Sequence, residues 1–592
     1  MIPFLVVALL PQQIDAVHYM GSRGSGAMFS RVENAAELRE FQRIEKVSGP
    51  AEKRKLAEAF LAGHPASWLL AGVYQAAATA SLELSDPARA LVEGRASLRL
   101  LPENASLLAV MAQVEIARGE RMQAVRDARD ALLWLNLFAP PAGVKDSAWK
   151  KTAKTIDESA RAVIAQAGEK APVFGAGTEI HGGRSAAVKF AGSAACQGCH
   201  PPEFEAWRKT GMASMLRPIA EAALLPDFSQ PVEYSSDGAR VSVRAGGGNR
   251  PYFELPQSDG SWKRYRVDYA IGSKWQQAFA TKLGDERLFV FPIQYSAIEK
   301  KWINYWAAID PPGSERADTA AFYRFESSTN YQRNCAACHT SQLRLQRLDD
   351  STMEKAEFRE PGVNCEMCHG PSAAHAASPD TPTPLRFSKL DHVEATLICG
   401  QCHRQSALRN LGPNGEMNFT RTEPYYDRLM SQPYGEFGAR AFYKDGRFRE
   451  TTFIGEAFLR SACFRRGTAQ CASCHNPHPP DAGRANPVSL KFRDDPDRMC
   501  TQCHLAAGAL GSAHTHHRKE SAGSRCVACH MPPIMSSLRF QAASHQIDDI
   551  PRADLTMRFG QAESPNACLI CHTGQEPQWV EAELKKWKTA AR

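Results

Sequence analysis

Membrane-spanning apolar runs and clusters of basic residues are both missing from this sequence. Beyond the first ten residues, no segment approaches the roughly 18 apolar residues that a membrane-spanning helix needs, so we expect no transmembrane span in the mature chain. Lysine and arginine are scattered, and the net charge is only +7, so nothing indicates a nucleic-acid partner. Hydrophobic residues make up 43% of the 592 residues, enough for packed cores in two or three domains.

Cysteine is absent from two long stretches, at about 34–168 and 231–306, and is concentrated elsewhere. Sixteen of the 17 cysteines belong to eight copies of the pattern Cys-x-x-Cys-His. The eight copies are Cys196, Cys199 and His200; Cys335, Cys338 and His339; Cys365, Cys368 and His369; Cys399, Cys402 and His403; Cys471, Cys474 and His475; Cys500, Cys503 and His504; Cys526, Cys529 and His530; and Cys568, Cys571 and His572. Composition alone would give about 0.01 to 0.02 copies per chain, so the pattern is not accidental.

The Cys-x-x-Cys-His pattern is the attachment sequence of a c-type haem. Its two thiols, one helical turn apart, add to the porphyrin vinyl groups, and the histidine becomes the proximal iron ligand. Paired cysteines also build zinc sites, but zinc does not need a histidine after every second cysteine. A thioredoxin-like redox role would need only one such motif in a βαβ setting. The sequence therefore predicts eight covalently bound haem c groups. The seventeenth cysteine, Cys463, is predicted to be a buried thiol, with a haem or metal contact as the alternative.

Haem attachment of this kind takes place outside the cytoplasmic membrane, so we expect a periplasmic or extracellular protein. Residues 1–16 support export, because the apolar run Ile2–Leu10 precedes a weak cleavage site at Ala16 and resembles a signal peptide. No basic residue precedes that run. The haem propionates would bring the total charge from +7 to about −1 in the oxidised protein. The excess of lysine and arginine is therefore interpreted as compensation for the propionate charges.

Residues 34–168 are predicted to form helices, because apolar residues recur at three- and four-residue spacing. Asp86 and Pro87 supply a cap and a first-turn proline for one of them. The pattern from Pro102 through Gly119 to Leu132 resembles a tetratricopeptide repeat, in which small residues let two antiparallel helices pack closely. This domain could be a docking surface for a partner protein or a helical cap on the haem domain.

The rest of the chain divides by composition. Residues 169–190 are rich in glycine and alanine and are predicted to be a linker, and 191–592 to be the haem domain. Residues 231–306 show alternating β-rich runs, which predict an antiparallel insertion of four to six strands. Beyond it the dense motifs leave room only for short helices and loops around the porphyrins. The expected fold class is mainly α, with haem-organised loops and a small antiparallel β insertion.

The residues after the first motif run Phe204-x-x-Trp207-x-x-Thr210-x-Met212-Ala213. They resemble the run that follows the first haem in the multihaem cytochrome c superfamily, which includes hydroxylamine oxidoreductase and the octahaem reductases. In that superfamily a histidine at the position of Met212 is usually a distal iron ligand. The resemblance implies that Met212 ligates one haem and raises its potential. The alternative is that Met212, or Met215, only fills the core.

Histidines outside the motifs are the other candidates for sixth ligands. His375 and His478 follow the third and fifth motifs at positions that resemble distal ligands of the same superfamily. His545 and the cluster His514, His516 and His517 also match common ligand sites, and His514 and His517 are the two members we assign. His181 and His392 are weaker candidates.

Two functions fit these residues. The first is an electron carrier that passes single electrons between redox protein partners, with the helical domain as a docking surface. The second is an oxidoreductase that acts on nitrite, hydroxylamine or tetrathionate at one open haem. Relatives that reduce nitrite carry a lysine in place of one proximal histidine, whereas all eight motifs here keep histidine. This difference favours the carrier.

Overall fold

The computed structural model describes most of the chain beyond residue 31. The described residues are 32, 34–137, 146–173, 189–234, 243–304, 330–331, 335–347, 354–404, 417–418 and 442–590, with short gaps at 258, 285, 383–385, 452, 482–486, 536–540 and 548–551. The predicted signal segment at 1–16, most of the predicted linker and His181 lie outside them. No helix in the described ranges is both long and apolar enough to cross a bilayer.

Seven helices make up the N-terminal part, which we call the helical domain. They are α1 (Ala35–Lys46), α2 (Pro50–Gly63), α3 (Leu70–Glu83), α4 (Pro87–Leu100), α5 (Ala105–Ala117), α6 (Arg121–Leu137) and α7 (Asp146–Gln166). Local chemistry sets where they begin, because the side chains of Asn34, Asp86 and Asn104 each accept a hydrogen bond from a first-turn amide. As predicted, Pro87 opens its helix.

Neighbouring helices of this domain pack in pairs, α3 against α4 and α5 against α6. Small side chains permit the close approach: Ala77, Ala90 and Ala112 are buried. A Cβ on Gly94 would overlap the side chain of Met111 on α5. This arrangement fits the small-residue pattern in the sequence, although the repeat family itself stays a prediction.

Two antiparallel sheets follow the first haem motif and the short helix α8 (Pro201–Trp207). The first sheet has the order β1 (Leu216–Pro218), β6 (Tyr269–Ile271), β7 (Gln276–Lys282), β9 (Gln294–Ser296) and β10 (Lys301–Ile303), with β8 (Leu288–Val290) also paired to β7. The second runs β2 (Val232–Tyr234), β3 (Val243–Gly246), β4 (Tyr252–Pro256) and β5 (Trp262–Arg266). Phe228, Phe253, Phe279 and Phe291 form the core shared by these sheets.

The antiparallel insertion is therefore confirmed, but the expected number of strands was too low. The described part of 231–306 contains nine strands, β2 to β10, rather than four to six. Most of them are short, and those with only three residues are too brief for a period-two pattern to show in the sequence.

Short elements carry most of the remaining motifs, as expected, but motif four lies on a helix of 12 residues. The helices are α9 (Ala336–His339), α10 (Glu366–His369), α11 (Ala373–Ala377), α12 (His392–His403), α13 (Ile454–Leu459), α14 (Ala462–Arg465), α15 (Cys471–Cys474), α16 (Arg498–Thr501), α17 (Leu505–Leu510), α18 (Ser512–Thr515), α19 (Cys526–His530), α20 (Ala553–Phe559), α21 (Ala567–Cys571) and α22 (Pro577–Ala590). Strands β11 (Thr340–Ser341) and β14 (Glu360–Pro361) pair, as do β12 (Arg344–Arg347), β13 (Glu354–Glu357) and β15 (Met417–Asn418).

The helical domain is packed directly onto the haem-motif region. One apolar cluster joins Leu107 and Leu132 of the helical domain to Leu397 and Phe458 of α12 and α13. Lys444 donates to the carbonyl of Ala66 at 3.1 Å across the same boundary. An interface built on a shared core is typical of a fixed cap, and it supports the cap alternative for this domain.

The backbones approach closely across this boundary at Gly446. Its φ is +89°, and a Cβ there would overlap the carbonyl oxygen of Leu100, at the end of α4.

We expect Gly446→Ala to destabilise the protein by roughly 2–5 kcal/mol, because about 1–2 kcal/mol of left-handed strain adds to about 1–3 kcal/mol of overpacking. Gly560→Ala is the matched control, since Gly560 has φ +76° and a Cβ added to it would meet no atom within 4 Å. The stability of both variants is measured as the urea concentration at the midpoint of unfolding, followed by near-ultraviolet circular dichroism. Equal midpoint shifts in the two variants would contradict the close contact.

Candidate haem-binding sites

Each attachment motif, numbered one to eight in chain order, brings its cysteines and histidine together on a short turn. In motif one the amides of Cys199 and His200 both donate to the carbonyl of Cys196, at 3.3 and 2.9 Å. The histidine amides of motifs three, five, six and eight close the same turn at 2.8 to 3.0 Å. Residues three and four apart share one helix face, so both thiols and the imidazole point to the same side. None of the 17 cysteines forms a disulfide, so the sixteen motif cysteines are available for haem attachment.

Five motif histidines lie opposite a histidine from outside the motifs. The ring centres are 6.3 Å apart for His200 and His375, 6.2 Å for His369 and His478, 6.2 Å for His475 and His545, 6.1 Å for His530 and His514, and 6.1 Å for His572 and His517. In four of these pairs the two ring planes are within 29° of parallel, and in the fifth they are inclined by 41°.

These separations are too long for direct ring stacking and fit an atom held between the rings. A metal–imidazole bond of about 2.0 Å, plus about 1.1 Å from the nitrogen to the ring centre, puts two trans imidazole centres about 6.2 Å apart. All five pairs match that value closely, since they range from 6.1 to 6.3 Å. The residues present therefore fit a haem iron between each pair. All five histidines assigned as distal ligands from the sequence occupy these opposing positions.

Backbone carbonyls orient several of these imidazoles. Nδ1 lies 2.8 Å from the Thr381 carbonyl in His375, 3.0 Å from the Ala543 carbonyl in His545 and 2.6 Å from the Thr515 carbonyl in His517. A proton on Nδ1 that is donated to a carbonyl leaves Nε2 as the free lone pair for a metal. Burial also lowers the pKa of His545 to about 4, which favours the neutral, ligating form of the ring.

Three motif histidines, His339, His403 and His504, have no such opposing imidazole among the residues that the structure describes. Burial lowers the pKa of His339 to about 4 and also lowers the pKa of His403. The ring of Tyr331 lies 6.2 Å from that of His339. The Tyr331 hydroxyl is fully buried and has no hydrogen-bond partner in the described ranges. Motif two therefore has a polar group beside it and no second histidine within the described part of the chain.

Met212 packs against the core cluster that contains Tyr331 and Ala336 and that Cys335 of motif two also contacts. Its carbonyl accepts a hydrogen bond from Val363, two residues before motif three, at 3.0 Å. The structure thus puts Met212 at a cluster shared by motifs two and three, while motif one already has His375 opposite its own histidine. Its role as an iron ligand stays a prediction.

The remaining candidates have other contacts. His516 stacks on Trp587 of α22 with ring centres 4.2 Å apart, and His392 lies 3.1 Å from the carbonyl of Phe464 through Nε2. Cys463 is half-buried, and burial raises the pKa of its thiol. No group of three or more histidine, cysteine, aspartate or glutamate side chains converges as in a zinc site within the described residues.

The motifs lie next to one another in space, as contacts between their cysteine thiols show. Cys196 neighbours Cys365, Cys338 neighbours Cys402, Cys471 neighbours Cys399, and Cys500 neighbours Cys526. Gln502 of motif six donates to the carbonyl of Ser473 of motif five at 3.0 Å, and Cys529 lies within electrostatic range of Cys571. Gln401 of motif four donates to the carbonyl of Met367 of motif three at 2.9 Å. These contacts link all eight motifs into one continuous array, with motif four beside motifs two, three and five.

Comparison with known proteins gives one match to a family. A sequence model of the family described as cytochrome c554 and c-prime matches residues 295–370, the segment that holds motifs two and three.

Two individual proteins are similar to this chain. The dissimilatory sulfite reductase MccA of Wolinella succinogenes is 23% identical over 423 residues, covering 60% of this chain and 53% of MccA. The chain thus spans about half the length of that curated relative. The solved structure of the outer cell wall cytochrome OcwA aligns with a TM-score of 0.46 at 17% identity, over 68% of this chain and 87% of OcwA.

Proposed function

We propose that this chain, a multihaem c-type cytochrome with covalently bound haem c, passes single electrons along eight haems between redox protein partners. When bound, haem iron cycles between ferric and ferrous states and so supplies one-electron transfer. The chain's own residues would attach the porphyrins, hold five of the irons with an imidazole on each side and set the spacing of the haems. The proposal includes a location outside the cytoplasmic membrane, in the periplasm or beyond it, because haem c is attached there.

The observation that carries the proposal is the set of five imidazole pairs with ring centres 6.1 to 6.3 Å apart. An iron with histidine on both faces has no open position for a substrate, and this arrangement is suited to electron transfer. The continuous run of neighbouring motifs supports the same function, because electrons hop efficiently only between closely spaced haems. The shared core under the helical domain favours a cap there, so we expect partners to dock near haem edges.

A second candidate function is reduction of a small anion at the haem of motif two. The buried Tyr331 hydroxyl without a described partner, beside a histidine with no imidazole opposite, favours it. Burial raises the pKa of Tyr331 well above its ordinary value, so the phenol stays protonated and can donate to a bound oxyanion. Sulfite is the first substrate to test, because it is the substrate of the relative MccA named above.

One spectroscopic experiment separates the two functions. In the oxidised, haem-loaded protein we expect electron paramagnetic resonance to show at least five low-spin haems, one for each imidazole pair. Fewer than five would contradict the proposed ligand pairs. A high-spin component that shifts on addition of sulfite would favour the second candidate.

Tyr331→Phe is the matched variant for the second candidate, since it removes only the hydroxyl. If motif two reduces sulfite, this variant should lose about a hundred- to a thousandfold of the turnover, the usual contribution of one well-placed donor, and keep every low-spin signal. Absence of any sulfite-sensitive signal in the wild-type protein would contradict sulfite reduction and leave electron transfer as the one supported function.

A further inference from the structure

Motif four is attached to the helical domain through four buried charged side chains, which we call the Arg404 network: Arg404, Glu456, Arg460 and Glu103. We infer that the charges of this network set the midpoint potential of the haem held by His403. The inference rests on the proposed function, because it requires a haem at motif four. It assigns an electrostatic role to residues outside every attachment motif.

The network begins at the residue directly after the proximal histidine. Arg404 Nε donates to a Glu456 carboxylate oxygen at 3.1 Å, and Arg460 Nη1 donates to the other oxygen of the same carboxylate at 3.1 Å. Arg460 Nη2 then donates to Glu103 of the helical domain at 3.2 Å. All four side chains are at most 3% exposed, so two positive and two negative charges lie together away from water.

Two glycines show how closely the network is built onto motif four. A Cβ on Gly400, inside the motif, would lie 3.1 Å from the Cδ of Arg404, so the arginine stem folds back along the motif helix. A Cβ on Gly455 would lie 2.7 Å from the carbonyl oxygen of His403. Helix α13 therefore rests on the backbone of the proximal histidine and presents Glu456 one residue later. A change in this helix moves or recharges the surroundings of His403 directly.

The helical domain contributes a second contact to the same arginine. Arg404 Nη2 donates to the carbonyl of Leu137, the last residue of α6, at 3.3 Å. The guanidinium is thus held by α6 of the helical domain and by α13 at once, and Arg460 carries the connection to Glu103 just before α5. This arrangement makes the helical domain part of the surroundings of motif four.

Charge in this network acts strongly because the surroundings are apolar. Coulomb energies scale inversely with the effective dielectric constant, which is far lower inside a protein than in water. The four charges cancel, so the intact network adds little net field. Removal of one charge leaves an uncompensated charge close to the haem ligand: excess positive charge favours the ferrous state and raises the potential, and excess negative charge lowers it.

Motif four is also where such control matters most. Its thiols neighbour those of motifs two and five, and its Gln401 contacts motif three. Electrons that move between the haems of motifs two, three and five pass through the haem of motif four. The midpoint potential of this haem therefore determines how readily those three haems exchange electrons.

The test compares two substitutions that break the same ion pair, Arg404 with Glu456, but leave opposite net charges. Spectroelectrochemical titration of the haem-loaded protein should show one haem shifted to higher potential in Glu456→Gln and the same haem shifted to lower potential in Arg404→Gln. Glu103→Gln, farther from His403, should shift it upward by less. Arg404→Lys should return the potential towards the wild-type value. A purely structural role would move the two broken-bond variants in the same direction or not at all, and that result would overturn the inference.

Glu115→Gln is the matched control, because Glu115 is also a buried carboxylate paired with an arginine, Arg95, but lies at the far end of α5 from Glu103. We expect no haem shift in it. Haem content of each variant, measured by mass spectrometry, distinguishes failure of the proposed eight-haem array from failure of the proposed role of the network. A wild-type protein without haem at Cys399 and Cys402 would refute the proposed eight-haem array, whereas full haem content with shifts of one sign would refute only the role of the network.

Discussion

Replacement of His517 by alanine should convert one haem, that of motif eight, from low-spin to high-spin, and replacement of His514 should do the same to the haem of motif seven. The two histidines sit three residues apart in one short segment and lie opposite His572 and His530, at ring-centre distances of 6.1 Å in both cases. Loss of either imidazole leaves an iron with a single protein ligand, so one low-spin signal should disappear in each variant.

The same segment supplies the matched control. His516 lies between the other two in sequence, but its ring stacks on Trp587 at 4.2 Å instead of facing a motif histidine. His516→Ala should therefore keep every low-spin signal and lose only a surface stacking contact. Quantified electron paramagnetic resonance of the oxidised proteins measures all three. Loss of a low-spin haem in His516→Ala, or its retention in His517→Ala, would show that the ligands are assigned wrongly.

Met212→His should lower the midpoint potential of one haem by on the order of 0.1 V, within the roughly 0.8 V range that axial ligands span. A thioether stabilises ferrous iron relative to imidazole, so its replacement by histidine favours the ferric state. Met212 packs against a cluster shared by motifs two and three, and motif three already has His478 opposite its histidine, so the haem of motif two is the one expected to respond. Redox titration followed at the α-band of the reduced haems measures the shift.

Met215→His is the control for this substitution. Met215 is also half-buried and lies three residues further along, and its carbonyl accepts a backbone hydrogen bond from Gly272 at 3.2 Å. No haem potential should change in it. An unchanged titration in Met212→His as well would assign Met212 to core packing, the alternative that the sequence left open.

The sequence offers candidate distal histidines but does not show how they pair. His375, His478, His514, His517 and His545 are candidates because their positions resemble distal-ligand sites of multihaem cytochromes c. Their partners depend on tertiary structure: His478 follows motif five by three residues, yet it lies opposite His369 of motif three. Sequence periodicity and spacing do not predict which motif histidine a distal histidine faces, because that depends on how separate turns of the chain pack together.

Charged residues in the interior were also invisible in the sequence. Arg404 and Arg460 look like any solvated arginine in an irregular region, and Glu103 looks like part of a helix cap. Burial and pairing, which give these side chains their importance, follow from the docking of α13 against the helical domain. By contrast, the helices between Ala35 and Gln166 follow local capping and spacing rules, and for that reason the helical region could be delimited in advance.

The order of ligands along the polypeptide has a consequence for biogenesis. In motifs one, three and five the facing histidine comes later in the chain than the attachment site, whereas in motifs seven and eight it comes earlier. If the chain is exported and loaded with haem as proposed, a haem attached at motif one, three or five would keep one face open until its downstream histidine arrives and closes a large loop at an entropic cost. Chains stalled midway through export should therefore be the most vulnerable to carbon monoxide, cyanide and peroxide.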